Sequence, residues 1–191
     1  MSGDLHLVQE FTGGVLVAVV DGLGHGHEAV LAATRAIETL TTYAHEPVVP
    51  LLQRCHEHLH GTRGVVMSLA SFRHGAEVMT WAGVGDVEGV LLRIGPQDKL
   101  MRQSLSLRGG VLGYQLPTLH ERTLSVINGD LLILATDGMR TSFVEDRVLS
   151  NPLLRRTQDG PQRIADELLA RYAKDTDDAL VLVARYGGET T

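Results

Sequence analysis

Acidic residues stand at both ends of a predicted β-hairpin. Asp4 and Asp21 lie at matching distances on either side of the turn-like Thr12-Gly13-Gly14. Apolar and polar residues alternate before this turn, and an uninterrupted apolar run, 15–20, follows it, as in a half-buried strand paired with a buried one. A two-stranded hairpin would therefore bring the two carboxylates face to face at one sheet edge.

The second half of the chain repeats this arrangement with other elements. A predicted strand, 130–135, runs into Asp137-Gly138, and the last predicted strand, 179–184, runs out of Asp177-Asp178. If these strands are antiparallel neighbours, their acidic ends also meet at one edge.

Clustered carboxylates repel one another and resist desolvation unless protons or a cation neutralise them. Their hard oxygen atoms are the ligands that Mg²⁺ and Mn²⁺ prefer, so the pattern predicts a two-metal site. For any single acid taken alone, turn formation is the better explanation. The placement of all these acids at strand ends favours the metal site.

The segment 56–60 matches the zinc motif H-E-x-x-H, with His56 and His60 as ligands and Glu57 as base. The ligand set is incomplete, because the predicted helix ends at Gly61 and Arg63 stands where the longer zinc motif requires glycine. We therefore predict a solvated helix end and keep a zinc metalloprotease as a remote alternative.

A glycine-rich loop, 22–26, joins the second strand to a helix, but His27 occupies the last glycine position of G-x-G-x-x-G. The loop suits a backbone carbonyl turned toward a cation better than it suits a nucleotide phosphate. His25 in this loop is either a proton donor or a packing residue. Asp86 in the segment 83–86 either approaches the metals or serves a turn, and the turn is favoured.

The remaining pattern predicts an α+β fold in which two mostly antiparallel sheets pack together with helices outside. Two predicted helices cover 27–43 and 50–60. A third predicted helix has Pro161 in its first turn and directs four side chains inward: Ile164, Leu168, Leu169 and Tyr172. The other predicted strands are 65–72, 77–82, 87–94 and 119–126.

Composition limits the possible functions. The 191 residues, 43% hydrophobic and 21% charged, predict a single globular domain spanning 1–191. A net charge of -6 without clustered basic residues disfavours nucleic acid. Cys55, the single cysteine, excludes an internal disulfide and is expected to be buried. We see no leader and no membrane-spanning run, so we expect a cytoplasmic protein without a membrane partner.

Four segments, taken in order, resemble the motifs of the PPM metal-dependent protein phosphatases. The chain is most similar to the bacterial sporulation and stress-response branch, particularly the small, single-domain RsbX type. The resemblance spans nearly the whole sequence and is carried by residues 2–4, 20–26, 135–138 and 177–179.

This resemblance implies a four-layer αββα sandwich and a centre of two Mn²⁺ or Mg²⁺ ions. A water between the ions would attack phosphoserine or phosphothreonine without a covalent phosphoenzyme. By this resemblance, Asp21 is expected to bridge the two ions, with Asp4 and the Gly22 carbonyl oxygen as ligands on the side of one ion. Asp137 and Asp177 are the expected ligands on the side of the other ion, and Asp178 is the alternative. The expected catalytic residues are Asp21, Asp137 and Asp177.

By the same resemblance, the substrate is a phosphorylated STAS-domain protein of a bacterial stress-signalling complex, the stressosome. The chain departs from larger members of the family in two respects. Leu23 replaces a histidine, and no residue before Asp4 offers a phosphate-binding arginine. These departures leave open a catalytically weak module that only binds the phosphoprotein.

Overall fold

The computed structural model describes residues 2–95, 99–151 and 157–187. The strands are β1 (Asp4–Phe11), β2 (Gly14–Gly22), β3 (Val65–Arg73), β4 (Val78–Val84), β5 (Glu88–Ile94), β6 (Leu100–Ser104), β7 (Arg122–Ser125), β8 (Leu131–Ala135) and β9 (Val181–Arg185). The α-helices are α1 (His27–Thr42), α2 (Val48–His58) and α3 (Gly160–Tyr172), and two short 3-10 helices cover Thr141–Glu145 and Arg147–Ser150.

The strands form two antiparallel sheets, which confirms the predicted fold class. One sheet has the order β1-β2-β3-β4-β7, and the other has the order β6-β5-β8-β9. The apolar core between them joins side chains such as Val19 and Trp81 of the first sheet to Leu134 of the second. Helices α1 and α2 cover the outer face of the first sheet, and α3 covers that of the second. The layers therefore run helix, sheet, sheet, helix.

The predicted hairpin is confirmed, and its register is the one the acids require. In the β1–β2 pair, Asp4 stands opposite Asp21, and Phe11 stands opposite Gly14 at the turn. The turn uses Gly13 with φ 92°, a conformation that favours glycine. Strand β2 is central, with β3 on its other side, which explains its continuous apolar run.

The second predicted pair of strand ends also meets. Strand β8 pairs with β9 so that Ala135 faces Val181, and Asp137 and Asp177 lie just beyond this end of the pair. Strands β2 and β8 approach each other across the sandwich. Both acidic ends consequently face the same edge of the molecule.

Several local predictions were wrong. Strand β6 was missed because it is a short edge strand whose residues are mostly exposed and polar. Helix α2 ends at His58, so His60 lies outside it. In α3, Ile164 and Leu168 are buried as expected, but Leu169 is 39% exposed. The two 3-10 helices were not anticipated either.

Two further expectations concern single features. Cys55 is completely buried, as predicted, and burial raises the pKa of its thiol to about 12. Within the described ranges, no helix combines the length and the apolar character that crossing a bilayer requires.

Candidate active site

Asp4 is held in place by a hydroxyl from the opposite sheet. Thr136, which follows β8, donates a hydrogen bond from Oγ1 to Asp4 Oδ2 at 2.7 Å and accepts one from the Leu180 amide at 2.9 Å. Thr136 is almost fully buried. This residue therefore links the first strand of one sheet to the ends of β8 and β9 in the other. Thr136 belongs to the motif segment 135–138, but the sequence analysis assigned it no role, because its partner Asp4 lies 132 positions away in the chain.

Gly22 and Gly138 follow their aspartates because the backbone there is crowded. A Cβ atom on Gly22 would lie 2.2 Å from the Ala29 carbonyl oxygen at the start of α1. A Cβ atom on Gly138 would lie 1.8 Å from the Asp178 carbonyl oxygen. Both distances are far below van der Waals contact, so each glycine lets another segment pass directly over an acidic loop.

The carboxylates at this edge disfavour one another's ionisation. Burial, followed by the charges of Asp4, Asp137 and Asp86, raises the pKa of Asp21 to about 7. Burial likewise raises the pKa of Asp4, and the neighbouring Asp178 adds to the effect. Asp137 is exposed, but the protein around it partly desolvates its carboxylate; this desolvation and the charge of Asp86 raise its pKa, although the cation of Lys174 acts in the opposite direction. The site is thus an excess of negative charge that nearby protein cations do not balance.

An open cleft of about 650 Å³ contains most of these acids. The structure brings the predicted catalytic residues Asp21, Asp137 and Asp177 together in its wall, and Asp86 joins them from the turn between β4 and β5. Asp86 therefore serves the expected turn and also reaches the site. Neither Asp4 nor Asp178 lines the cleft; the other lining residues are Leu23, Gly24, His25, Val66, Gly85, Gly109, Gly110 and Val111.

The donor set fits a hard divalent cation in its chemistry. All the clustered side chains offer carboxylate oxygens, and a cation would relieve the repulsion that, together with desolvation, raises the pKa values of Asp21 and Asp137. Among the residues the structure describes, however, no group of three or more His, Cys, Asp or Glu is arranged to hold a metal ion as it stands. Asp137 and Asp177 are exposed, so their side chains can change rotamer toward Asp21. The metal-ligand assignments stay predictions.

The three histidines of the zinc-like motif have structural partners instead. His56 Nδ1 accepts a hydrogen bond from the Gly113 amide at 3.0 Å, and His60 Nδ1 lies 3.2 Å from the Gly113 carbonyl oxygen. His58 Nδ1 lies 3.2 Å from the Thr39 hydroxyl oxygen. His58 and His60 are exposed, as the predicted solvated helix end requires, whereas His56 is half-buried and has the structural hydrogen bond that the sequence did not indicate. His56 and His60 fasten the loop 109–115, whose first residues line the cleft.

This combination of a two-sheet sandwich with carboxylates at its strand ends matches the fold and the site that the resemblance to the PPM phosphatases led us to expect. Within that class, the sequence profile of the family described as stage II sporulation protein E (SpoIIE) matches residues 12–187. That range covers most of the chain, so the protein belongs to the SpoIIE family.

Individual relatives agree with this assignment. A structure from work on the bacterial stressosome, a modular system adapted to control secondary messenger signaling, has a TM-score of 0.83 and 31% identity, covering 97% of this chain and 92% of that one. A crystal structure of RsbX in complex with magnesium shares the fold, with a TM-score of 0.77 and 21% identity over 96% of this chain and 86% of that one.

A sequence match links the chain to the phosphoserine phosphatase RsbX of Bacillus subtilis (strain 168). The two proteins are 29% identical over 77 residues, which is 40% of this chain. The match spans only 39% of the length of that relative.

Proposed function

We propose that the chain is a metal-dependent protein serine/threonine phosphatase that acts through one catalytic domain spanning residues 1–191. The observation that carries the proposal is the cleft in which Asp21, Asp137 and Asp177 meet although their charges repel. Proteins keep such destabilised carboxylate clusters at functional sites. Membership of the SpoIIE family and similarity to RsbX support the same activity.

The proposed cofactor is a pair of Mn²⁺ or Mg²⁺ ions. When bound, these ions would activate the attacking, bridging water and neutralise charge on the phosphoryl oxygens. The magnesium in the RsbX complex supports this choice of ion. The residues proposed to hold the ions are Asp4, Asp21, the Gly22 carbonyl, Asp137 and Asp177, with Asp178 as the alternative ligand.

The chain's own residues would prepare the site for this chemistry. Thr136 fixes the orientation of Asp4 by donating to one of its carboxylate oxygens. The crowded Gly22 and Gly138 hold the loops that carry Asp21 and Asp137 close to neighbouring backbone. Leu23 and Val111 give the cleft an apolar wall, which limits the water around a bound phosphoryl group.

The proposed substrate is a phosphorylated STAS-domain protein of a stress-signalling complex. The similarity to RsbX and to the structure from the stressosome work supports this choice. Phosphoserine or phosphothreonine on a protein surface suits an open cleft, because the phosphorylated side chain must enter while its own domain stays folded.

The decisive experiment measures phosphate release from a small aryl phosphate and from a phosphoserine-containing STAS-domain protein, with and without Mn²⁺. Wild type is compared with Asp137→Asn and with Asp166→Asn, which removes one charge from the exposed face of α3. We expect Mn²⁺-dependent release that Asp137→Asn abolishes and Asp166→Asn preserves. Release that is independent of metal, or unchanged in Asp137→Asn, would contradict the proposal.

A binding module of the same fold is the second candidate. Its support is that the acids do not form a ready-made metal group among the described residues and that Leu23 replaces the histidine of larger relatives. This alternative predicts stable binding of the phosphorylated STAS-domain protein without phosphate release at saturating Mn²⁺. Turnover of either substrate by the wild type would eliminate it.

A further inference from the structure

A second cleft of about 410 Å³ adjoins the acid-lined cleft and shares Asp86 and Asp137 with it. Unlike the first cleft, it is rich in hydrogen-bond donors. Its wall includes the consecutive residues Arg140, Thr141 and Ser142, together with Lys174, and its remaining members are Glu88 and Met139.

A short backbone ladder fixes the two cations of this cleft next to Asp137. Met139 and Ala173 form an antiparallel bridge. The Arg140 amide donates to the Tyr172 carbonyl oxygen at 2.9 Å, and the Lys174 amide donates to the Gly138 carbonyl oxygen at 2.8 Å. Positions 140 and 174 are therefore set by the fold and do not depend on a free loop.

The side chains of the two cations differ in how they are engaged. Lys174 donates from Nζ to the Asp137 carbonyl oxygen, so its ammonium group lies against the acidic loop. The Arg140 guanidinium makes one long contact, from Nη1 to the Arg171 carbonyl oxygen at 3.4 Å, and has no other side-chain partner among the described residues. Most of its donors thus point to no protein acceptor, although Asp86, Glu88 and Asp137 line the same cleft.

Basic residues are distributed unequally between the two adjoining clefts. None of the described residues lining the acid-lined cleft is Lys or Arg. A doubly charged phosphoryl group that approaches Asp137 therefore meets no protein cation there, and any protein cation that assists the proposed metal ions must come from outside that cleft. Guanidinium groups bind phosphate oxygens in a bidentate manner, and ammonium groups bind them as point charges. Arg140 and Lys174 are the cations that line the adjoining wall.

We propose that Arg140 and Lys174 form the anion-binding part of the substrate site and hold the phosphoryl group of the substrate beside Asp137. This inference rests on the proposed phosphatase function. It assigns the binding of the phosphoryl group to residues that follow β8 and α3.

Direct binding tests the inference without relying on turnover. The probe is a fluorescent peptide that carries a non-hydrolysable phosphonate analogue of phosphoserine, and its affinity is measured by anisotropy in the presence of Mg²⁺. The same peptide with serine reports binding to the polypeptide alone. The variants are Arg140→Ala, Arg140→Lys and Lys174→Ala. The matched control is Arg122→Ala, which removes an exposed arginine of β7 that lines neither cleft.

We expect Arg140→Ala and Lys174→Ala each to weaken phosphonate binding about tenfold or more, because a charge-assisted hydrogen bond contributes on that scale. Arg140→Lys should recover part of the affinity, and Arg122→Ala should leave it unchanged. The serine peptide should bind weakly to all the proteins. Near-identical thermal unfolding curves would show that the variants are folded.

Other outcomes overturn the inference. Unchanged phosphonate affinity in both Arg140→Ala and Lys174→Ala would remove these residues from phosphoryl binding. An equal loss for the phosphonate and serine peptides would place them against the polypeptide and not against the phosphoryl group.

The inference and the proposed function can fail separately. Wild-type phosphate release combined with unchanged phosphonate binding in the variants would refute only the inference. Absence of release from the wild type, combined with phosphonate binding that Arg140→Ala abolishes, would refute only the hydrolytic function.

Discussion

Fully and partly buried carboxylates occur in two contrasting environments in this protein. Asp130 and Asp146, both nearly inaccessible, are each paired with an arginine. Arg93 contacts both carboxylate oxygens of Asp130, with the closest approach at 2.6 Å, and the Ile127 amide donates to the same group at 3.0 Å. At the acidic edge, by contrast, Asp21 is surrounded mainly by other carboxylates.

The difference separates structural carboxylates from those available for chemistry. A buried charge is tolerated when hydrogen bonds and an opposite charge compensate its desolvation. Asp130 and Asp146 meet that condition within the protein. Asp21 does not, so its compensation must come from protons or from a bound cation. The predictions below test this contrast, beginning with the largest effect.

Asp21→Asn should abolish most of the phosphatase activity while leaving the fold intact. We expect phosphate release to fall on the order of a hundredfold or more, since even indirect partners of a metal site matter on a 10–100-fold scale. Stability without metal should not decrease, because the substitution removes repulsion from Asp4 and Asp137. Phosphate release measures the expected loss of activity, and urea unfolding measures the expected unchanged stability. A strongly destabilised variant would contradict the distinction between structural carboxylates and those available for chemistry.

Asp130→Ala should have the opposite profile. It leaves the Arg93 guanidinium and the Ile127 amide without their carboxylate, so the free energy of unfolding should fall by about 3 kcal/mol. Asp130→Asn, which keeps an acceptor, should lose less. Urea unfolding measures the loss, and phosphate release below the unfolding transition should stay near the wild-type value. Selective loss of activity in the folded variant would show that Asp130 is not a purely structural carboxylate.

Asp146 should make stability depend on acid pH. Burial alone would raise its pKa, but hydrogen bonds from the Val148 amide and from Arg171 outweigh burial and lower the pKa below its ordinary value of 3.8. Its stabilisation is therefore complete above pH 3.8 and is lost as pH falls through the lowered native pKa.

Asp146→Asn should accordingly cost about 1–2 kcal/mol at neutral pH, a value reduced because Arg171 is half exposed. Urea unfolding over a pH series should show this cost shrinking toward strongly acidic pH. A cost that is constant with pH would mean that the carboxylate charge is not what stabilises this position.

The exposed ion pair Arg163–Asp159 should contribute least to the free energy of unfolding among the pairs compared here. Its groups are 3.8 Å apart, and their side chains are 57% and 65% exposed. Arg163→Ala should change the free energy of unfolding by no more than about 0.5 kcal/mol, because water screens such pairs. Urea unfolding in low and high salt checks this expectation; a loss as large as that of Asp146→Asn would show that burial does not govern these pairs.

The sequence predicted the fold best where periodicity and turn chemistry agreed. The β1–β2 hairpin, with Asp4 opposite Asp21, follows from an alternating strand, a glycine turn and a buried run. Strand β6 could not be recognised, because an exposed edge strand such as Leu100–Ser104 has no apolar pattern. The partners of His56 and His60 were equally hidden, since Gly113 is distant in sequence and contributes only backbone atoms.

The sequence by itself determined that acids end the apolar strands, because residue type and period are local properties of the chain. It also carried the motifs of the PPM phosphatases. Only the tertiary structure decided which long-range partners each acid meets. Thr136 reaches Asp4 across the sandwich, Arg93 neutralises Asp130, and Arg140 lies beside Asp137 without a comparable partner. These contacts depend on how the two sheets and α3 pack, and packing depends on the whole chain at once.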